Sequence, residues 1–339
     1  MRKQNGRNQP PPAGVVAHEP PLTASPLPTV AAPAPYRSIV VGTDFSPCSA
    51  VALSQALRIA TWSHASLPAV HVIDTTVVME PGASLSEFQQ AVRASLADAA
   101  LSAWRDFAAG IPGAADIAVE ITPNNRVAGV LEQARTARAD LLVLGAFGAR
   151  RPDVGFGTLA TACVRTSMTD VLLVRDTQRG PFRAVVAGID FSAASLKALY
   201  RAAAIATHEA AELHALHLLE APWHRLGYPA LEPKWLTENQ QAYRQRAEQM
   251  LADFIRPVVA AHPGLRLRVV CDDSGTHRHG IADYATKAGA DLTVLGTRGR
   301  TNLRDILLGS TAERVLAESS CSVLAVTAAE SPEPRAAGR

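Results

Sequence analysis

Cysteines and aromatic residues are scarce in this sequence, and each shortage excludes a class of protein. Four of the 339 residues are cysteine, all of them isolated, and aromatic residues make up 5%. Without paired cysteines the sequence predicts neither a disulfide-stabilised secreted domain nor a structural zinc site, and a reducing compartment is expected. No apolar run reaches about 18 residues, and none follows Arg2 and Lys3, so neither a membrane span nor a secretory signal is predicted. We therefore expect a cytoplasmic protein.

An excess of one charge is also missing. The sequence has 33 Lys and Arg against 31 Asp and Glu, a net charge of +2. Because such a balance produces no strong field, neither nucleic acid nor a membrane is expected as a partner. Hydrophobic residues make up 47% of the chain, which is typical of globular proteins. The length suits two domains of roughly 150 residues each.

Both ends of the chain differ in composition from the rest. Residues 1–35 contain nine prolines and no hydrophobic periodicity. Such a segment favours extended, solvated backbone and cannot bury enough apolar surface to offset the entropy of ordering. We therefore predict a disordered Pro/Ala-rich tail over 1–35 and a second loose tail over 329–339.

Between these tails, two segments of the sequence occur twice. The segment IVVGTDFS at 39–46 recurs as VVAGIDFS at 185–192, and ADLLVLG at 139–145 recurs as ADLTVLG at 290–296. The two separations, 146 and 151 residues, are nearly equal. Matching segments at nearly one separation indicate a duplicated domain.

Each copy alternates short apolar runs with amphipathic helical patterns, in the order typical of βαβ units. This alternation predicts an α/β fold whose parallel sheet is covered by helices on both faces. The predicted domains are 36–176 and 182–328, separated by a turn at Gly180-Pro181. The predicted strands are 39–41, 69–73, 117–121, 141–144 and 171–174 in the first copy, and 185–187, 213–218, 267–270, 292–295 and 323–326 in the second.

Capping residues predict where several helices begin. Ser46 is the expected N-cap of the first helix, with Pro47 at the first helical position, where its missing N–H costs nothing. The long second helix of each copy is predicted to begin at a capping box, Ser84-x-x-Glu87 in the first copy and Thr237-x-x-Gln240 in the second.

A glycine-rich loop follows the fourth predicted strand of the second copy. Gly296 and Gly299 are separated by two residues, and nine more precede Gly309, Ser310 and Thr311. Glycines permit a tight turn and a close approach of ligand to backbone, while the free N–H groups of a helix start favour an anion. The hydroxyl groups add further donors. The pattern therefore indicates a phosphate site, with turn closure alone as the simpler alternative.

The first copy has a shorter version of this loop. Gly145 and Gly148 are followed by only eight residues before Gly157 and Thr158. One residue fewer would shift the start of the helix by about 1.5–3.5 Å, enough to misplace a hydrogen-bonding cradle. We therefore expect a weakened or altered site in the first copy. Arg150 and Arg151 in the spacer either compensate by binding phosphate or form an exposed pair.

An aspartate follows the first predicted strand of each copy. In an open parallel sheet, ligands bind beyond the carboxyl ends of the strands, where the winding reverses. If the first and fourth strands are neighbours, Asp44 and Asp190 line the same crevices as the glycine loops. A carboxylate suits ribose hydroxyl donors, although it would also stabilise the start of the following helix.

The loop Gly-x2-Gly-x9-Gly-Ser after an apolar strand, together with Asp-Phe-Ser after the first strand, resembles the universal stress protein family. The resemblance covers Tyr36 to Thr327. It implies two tandem doubly wound domains, each a five-stranded parallel sheet of order 3-2-1-4-5 with helices on both faces. It also implies a stress-response module that binds ATP with Mg²⁺, because members with the glycine motif bind ATP and members without it do not.

The resemblance also implies roles for individual residues. Asp190 would face the ribose or adenine, Leu218 would meet adenine through its backbone, and Gly188 lies near the same end. Gly296 would border the ribose. The expected phosphate cradle is Gly299, Gly309, Ser310 and Thr311, and the corresponding first-copy residues are Gly42, Asp44, Val72, Gly145, Gly148, Gly157 and Thr158.

Three functions compete at this point. The first is an ATP-binding regulatory module with little or no hydrolysis; the second is an interaction protein with vestigial nucleotide sites. The third, an ATP-consuming enzyme, is disfavoured because the sequence lacks Gly-x4-Gly-Lys-(Ser/Thr) and an evident catalytic base. His277 and His279 are interpreted as solvated loop residues, and no metal site is predicted.

Family members pair through their last strands, so the resemblance implies an intramolecular pseudo-dimer along 171–174 and 323–326. It leaves open whether two chains also form a homodimer.

Overall fold

The computed structural model describes residues 27–74, 86–148, 155–219, 233–272, 280–297 and 308–327. Within these residues the chain forms an α/β fold with a mostly parallel sheet. The strands are β1 (Ile39–Gly42), β2 (Ala69–Asp74), β3 (Val119–Asn124), β4 (Leu141–Gly145), β5 (Asp170–Val174), β6 (Ala184–Gly188), β7 (Glu212–Leu218), β8 (Arg266–Asp272), β9 (Leu292–Gly296) and β10 (Ser322–Val326). The helices are α1 (Pro47–Ser63), α2 (Ser86–Ala109), α3 (Arg126–Thr136), α4 (Thr158–Thr166), α5 (Ala193–Glu209), α6 (Pro233–Ala261), α7 (Gly280–Lys287) and α8 (Ser310–Glu318).

The strands form one continuous ten-stranded sheet in the order β3-β2-β1-β4-β5-β10-β9-β6-β7-β8. Counted from its outer edge, each half has its third, second, first, fourth and fifth strand in that order. The junction between the halves is the antiparallel pair of β5 and β10, with Leu172 opposite Leu324. All neighbours within a half are parallel. The strands of the two halves therefore run in opposite directions.

Helices cover both faces of the sheet, so that β1, β5 and β10 are buried on every residue. In β1, Ile39 and Val41 pack into one core cluster with residues of α1, whereas Val40 packs into a second cluster with residues of α3 and α4. Successive side chains of a strand point to opposite faces, so an uninterrupted apolar strand requires a core on each side. Within the described residues, no helix has the length and apolar character needed to cross a bilayer.

The repeated Ala-Asp-Leu segment fixes the start of the first strand in each half. Asp140 Oδ2 accepts hydrogen bonds from the backbone N–H groups of Arg37 (2.7 Å) and Ser38 (3.1 Å). Asp291 does the same for Arg183 (2.8 Å) and Ala184 (3.2 Å). Burial raises the pKa of Asp291, and these N–H donors oppose that rise. The aspartate of this segment is therefore a structural residue.

The predicted start of the first helix is confirmed, whereas one predicted capping box is wrong. Ser46 N-caps α1 by accepting from Ser49 N at 3.2 Å, and Pro47 occupies the first helical position. In the second half, α6 begins at Pro233 and not at Thr237. Proline is pre-organised for the first helical position, so it starts the helix earlier and leaves Thr237 in the interior. Ser84 lies outside the described residues.

The N-terminal segment departs from the predicted disorder over residues 27–35. Leu27 and Val30 pack against the core, and Arg201 Nη1 donates to the carbonyl oxygen of Ala34 at 2.7 Å. An extended segment has no internal hydrogen bonds, so its backbone carbonyls can accept from a neighbouring side chain. Residues 1–26 and 328–339, the remainder of the two predicted tails, lie outside the described residues.

A buried carboxylate connects the two halves beside the β5–β10 junction. The Asp170 side chain is only 2% exposed and accepts hydrogen bonds from Arg201 Nε (3.1 Å), Tyr36 Oη (3.2 Å) and Thr327 N (3.0 Å). Lys197 Nζ lies 3.7 Å from the same carboxylate. The Arg201 guanidinium also lies over the Tyr36 ring, 3.9 Å from its centroid. The carboxylate belongs to the first half and both cations to the second.

This charge cluster occurs only once in the duplicated architecture of the described residues. Ser322, at the start of β10, occupies the position that corresponds to Asp170, and Gln55 corresponds to Arg201. Gln55 Nε2 donates instead to the carbonyl oxygen of Gly180 at 2.8 Å. Gln55 is therefore a neutral residue at the first-half position where the second half has the arginine of the charge cluster.

We expect Asp170→Asn to destabilise the chain by about 3–5 kcal/mol, because it leaves the buried Arg201 guanidinium without its counter-charge. Urea denaturation of the full chain measures the free energy of unfolding. The control is Glu132→Gln, which removes an exposed ion pair with Arg135 and should change stability by about 0.5 kcal/mol or less. Equal effects of the two substitutions would contradict this assignment.

Candidate functional site

The candidate site lies where the carboxyl ends of two neighbouring strands diverge. β1 and β4 are adjacent, with Val41 opposite Val143, and the chain leaves β1 toward β2 on one side and β4 toward β5 on the other. The same arrangement occurs at β6 and β9, with Ala187 opposite Val294. The condition that the first and fourth strands are neighbours is thus met in both halves. A crevice of this kind is the usual ligand position in open α/β sheets.

The first-half aspartate contacts the glycine loop. Asp44 Oδ1 accepts a hydrogen bond from Ser46 N at 3.1 Å, which fixes the carboxylate. A methyl group at Gly148 would lie only 2.8 Å from Asp44 Oδ2. Gly148 and the Asp44 carboxylate are therefore close together, so the structure brings together two residues that the sequence assigns to one site.

The second-half aspartate has the same local geometry and is less exposed. Asp190 Oδ1 accepts from Ser192 N at 3.0 Å, and the residue is half-buried where Asp44 is exposed. Gly299, which corresponds to Gly148 in the first half, lies outside the described residues, as do Arg150 and Arg151 of the first-half spacer.

The first glycine of each loop packs closely against a helix start. A methyl group at Gly296 would lie 2.8 Å from Cβ and 3.0 Å from the carbonyl carbon of Ala194, at the start of α5. At Gly145 a methyl group would lie 3.2 Å from Cys48 Sγ, at the start of α1. A side chain at either position would point at the helix start. Glycine therefore lets the helix start lie close to the end of the strand.

The glycines at the ends of β1 and β6 are also packing residues. A methyl group at Gly188 would lie 2.6 Å from Ile281 Cδ1, and one at Gly42 would lie 2.5 Å from Leu144 Cδ2. Both lie at the sheet edge where the sequence predicts the site. Their missing side chains make room for apolar neighbours beneath that edge.

Val72 and Leu218 present backbone groups to the crevice. Thr43 N donates to the carbonyl oxygen of Val70 at 2.9 Å, and Ile189 N donates to that of Leu216 at 2.8 Å. Backbone groups two residues apart in a strand point the same way. The N–H and C=O of Val72 and Leu218 therefore point to the side where β1 and β6 have ended, and they can recognise a planar polar edge such as that of adenine.

The helices that follow the glycine loops begin without a side-chain cap in the described structure. Gly157 is the N-cap of α4 and Gly309 the N-cap of α8, and neither helix start has a side-chain hydrogen bond. By contrast, Ser192 Oγ accepts from Ser195 N at 3.1 Å at the start of α5. N–H groups in the first turn of a helix lack intrahelical partners and favour an anion.

Both helices start at the same place relative to their strands, despite the different spacers. Gly157 N donates to the carbonyl oxygen of Ala146, and Gly309 N donates to that of Thr297, each at 2.8 Å. The predicted shift of the first-half helix is therefore wrong. In each half a hydrogen bond joins the N-cap glycine of the helix to the residue that follows the strand. The position of the helix start therefore does not depend on the number of residues in the spacer.

Exposed hydroxyl groups lie at both helix starts, and an ion pair between the two halves lies at the start of α8. Thr158, Ser310 and Thr311 are all exposed in the first turns. The first turn of α4 has no acidic residue, whereas that of α8 contains Glu313. The carboxylate of Glu313 lies 3.4 Å from Arg165 of α4, which offsets its charge near the α8 N-terminus.

Sequence reasoning missed a histidine–phenylalanine pair that positions each aspartate. Phe45 has a φ of 61°, and its ring stacks on His71 at 4.3 Å between centroids. His71 Nδ1 lies 2.9 Å from the carbonyl oxygen of Thr43. Since a carbonyl only accepts, Nδ1 carries the proton. The histidine thereby holds the Asp-Phe-Ser turn against β2.

The second half repeats this pair. Phe191 has a φ of 62° and lies 4.5 Å from His217 between ring centroids, whose Nδ1 is 2.9 Å from the carbonyl oxygen of Ile189. The signal was present in the sequence, since both pairs follow the same 146-residue separation as the repeated strand.

A cavity of about 350 Å³ lies elsewhere, between the linker and the amino ends of β6, β9 and β10. It is lined by Gln178, Arg179 and Arg183 of the connecting segment, together with Asp291 and Cys321. This edge is opposite the second-half glycine loop, so the cavity is separate from that site. Among the described residues, no group of three His, Cys, Asp or Glu side chains could hold a metal ion. His277 and His279 lie outside those residues.

Comparison with known proteins assigns the family. The model of the universal stress protein family matches residues 35–175 and again 181–327. The chain belongs to the universal stress protein family. A universal stress protein of Mycobacterium tuberculosis is 27% identical over 82% of this chain and 92% of its own length. One from Methanocaldococcus jannaschii is 32% identical over 43% of this chain and 82% of its own length.

A solved universal stress protein from Archaeoglobus fulgidus has the same fold. It superposes with a TM-score of 0.57 at 18% identity, covering 86% of this chain and 98% of that protein. The superposed region includes both halves of this chain, which agrees with the tandem organisation.

We expect Gly296→Ala to destabilise the chain by about 1–3 kcal/mol, because the added methyl group overlaps the start of α5. The control is Gly110→Ala, where the nearest atom, the carbonyl oxygen of Phe107, would be 3.4 Å away. Thermal or urea denaturation without nucleotide measures both. A Gly296→Ala chain as stable as the control would mean that the packing role is misassigned.

Proposed function

We propose that this universal stress protein is a regulatory module that binds ATP, with its principal site in the second half. The observation that carries the proposal is the uncapped start of α8, at the same sheet edge as Asp190 and the outward backbone of Leu218. Main-chain N–H groups at a helix start suit phosphate oxygens. The residues present therefore fit the three parts of an adenine nucleotide.

Each part of the nucleotide has an assigned partner in this chain. The amides at Ser310 and Thr311, with their exposed hydroxyl groups, bind the phosphates. The Asp190 carboxylate accepts from the ribose hydroxyls, and the Leu218 backbone binds the adenine edge. The Mg²⁺ that accompanies ATP is held mainly by phosphates and water, as is usual for this ion.

The first half provides a second, weaker nucleotide site. Its α4 begins where α8 does relative to the strand, which supports binding there too. However, Asp44 is exposed where Asp190 is half-buried, and hydrogen bonds of a more exposed carboxylate compete more strongly with water. We therefore assign the higher affinity to the second half.

The role is regulatory, with little or no hydrolysis. The sequence lacks the lysine of a P-loop and an evident catalytic base, which are the groups that accelerate phosphoryl transfer in ATP-consuming enzymes. ATP can bias such a module only by binding two of its states with different affinity. Turnover faster than about 1 s⁻¹, the lower end of ordinary enzyme rates, would contradict this role.

Calorimetric titration with ATP in the presence of Mg²⁺ tests the proposal. We expect Asp190→Ala and Gly309→Val to weaken second-half binding by about tenfold or more, since each removes or blocks a direct contact. We expect Asp44→Ala to reduce total binding only mildly. The matched control is Asp116→Ala, which removes an exposed carboxylate ahead of β3 at the outer end of the sheet and should have no effect.

Two results would refute the proposal. Equal losses from Asp44→Ala and Asp190→Ala would remove the asymmetry between the halves. No binding by the unmodified chain would favour an interaction protein with vestigial sites.

A further inference from the structure

The end of the first-half glycine loop lies directly on the second half of the chain. Gly155 N donates to the carbonyl oxygen of Ser319 at 3.4 Å. Gly155 has a φ of 81°, and a methyl group there would lie 2.8 Å from the carbonyl oxygen of Ala317. Both the left-handed backbone and the close approach to α8 therefore require glycine at this position.

A buried arginine strengthens this contact. Arg175 follows β5 and is only 4% exposed. Its Nη2 donates to the carbonyl oxygens of Gly155 and Ser319, each at 2.6 Å, and its guanidinium lies over the Phe156 ring, 5.2 Å from the centroid. One guanidinium thus bridges the first-half loop and the second half. Hydrogen bonds from a charged donor are stronger than neutral ones.

The element contacted by this loop is the candidate phosphate helix of the second half. Ser319 is the C-cap of α8, whose first turn contains Ser310 and Thr311. The N-terminus of this nine-residue helix faces one candidate site, and its C-terminus holds the loop of the other. Gly155 is in turn only two residues from Gly157, the N-cap of α4.

This bridge has no counterpart in sequence on the other side of the junction. Thr327 occupies the position after β10 that corresponds to Arg175, and its N–H donates to Asp170 Oδ1 at 3.0 Å. Leu307 stands two residues before Gly309, where Gly155 stands before Gly157. The bridge therefore acts on the first-half site alone.

We propose that Arg175 is a positioning residue that holds the Gly155–Gly157 segment on α8, so that the second half shapes the phosphate cradle of the first. This inference rests on the proposed function for the identity of the ligand. It explains how a loop with a shortened spacer keeps a helix start equivalent to that of the second half. The loop of the first half thus rests on the C-terminus of the helix whose N-terminus faces the second-half site.

The first test compares ATP with adenosine in the full chain carrying Asp190→Ala, which leaves the first-half site as the principal one. Adding Arg175→Gln should weaken ATP binding by about tenfold and adenosine binding by less than about twofold, because the Gly155–Gly157 segment leads into the helix start assigned to the phosphates. Gly155→Ala should give the same selective loss from the loop side. Arg175→Lys should recover part of the ATP affinity. Equal losses for both ligands would overturn the proposal, since a general structural defect would produce them.

The second test needs no nucleotide and therefore separates this inference from the proposed function. Hydrogen exchange of peptides covering residues 155–162 should become at least about tenfold faster in Arg175→Gln and stay unchanged in Arg165→Gln. The control removes the exposed α4–α8 ion pair with Glu313 and leaves the loop contact intact. Unchanged exchange in Arg175→Gln overturns the proposal. Faster exchange in a chain that binds no ATP supports the positioning role and refutes the nucleotide assignment.

Discussion

The antiparallel pairing of β5 with β10 is the interaction on which the rest of the molecule depends. Each half ends its parallel sheet in a strand whose outer edge would otherwise expose unpaired backbone groups. Pairing the two edges makes one ten-stranded sheet, and the buried Asp170–Arg201 ion pair lies beside the junction. That pair takes its carboxylate from the first half and its guanidinium from the second. Two copies of the same half could not form it, so the pair favours pairing of the two different halves.

The direction of this pairing also determines how the two candidate sites are related. Since the strands of the halves run in opposite directions, the glycine loops open at opposite edges of the sheet. The last helix of each half, α4 or α8, runs back from its loop toward the other edge. The C-terminus of α8 therefore reaches the loop of the first half, where Arg175 connects them. The Arg175 contact therefore occurs once in this chain, whereas two identical halves would form it twice.

Most of the fold and the core of the candidate site could be predicted from the repeat, because the two copies share them. The Ser46 cap and the closeness of Asp44 to Gly148 follow from segments present in both halves, whereas the strand order was implied by the resemblance to the universal stress protein family. The start of α4 could not be predicted by counting residues, since a hydrogen bond from Gly157 to Ala146 fixes it independently of the spacer length. The contacts of Arg175 and Asp170 were also missed. They join non-equivalent residues across the two halves, whereas a repeat reveals only what the copies have in common.

We propose that main-chain amides at the start of α8 bind the phosphates of a nucleotide. Backbone amide resonances of the isotopically labelled full chain, recorded with ATP and with adenosine, test this binding. We expect ATP to move the resonances of Ser310, Thr311 and Leu218, and adenosine to move that of Leu218 while the α8 amides stay unchanged. If saturating ATP left the α8 amide resonances where they are in the free chain, these amides would not bind phosphate.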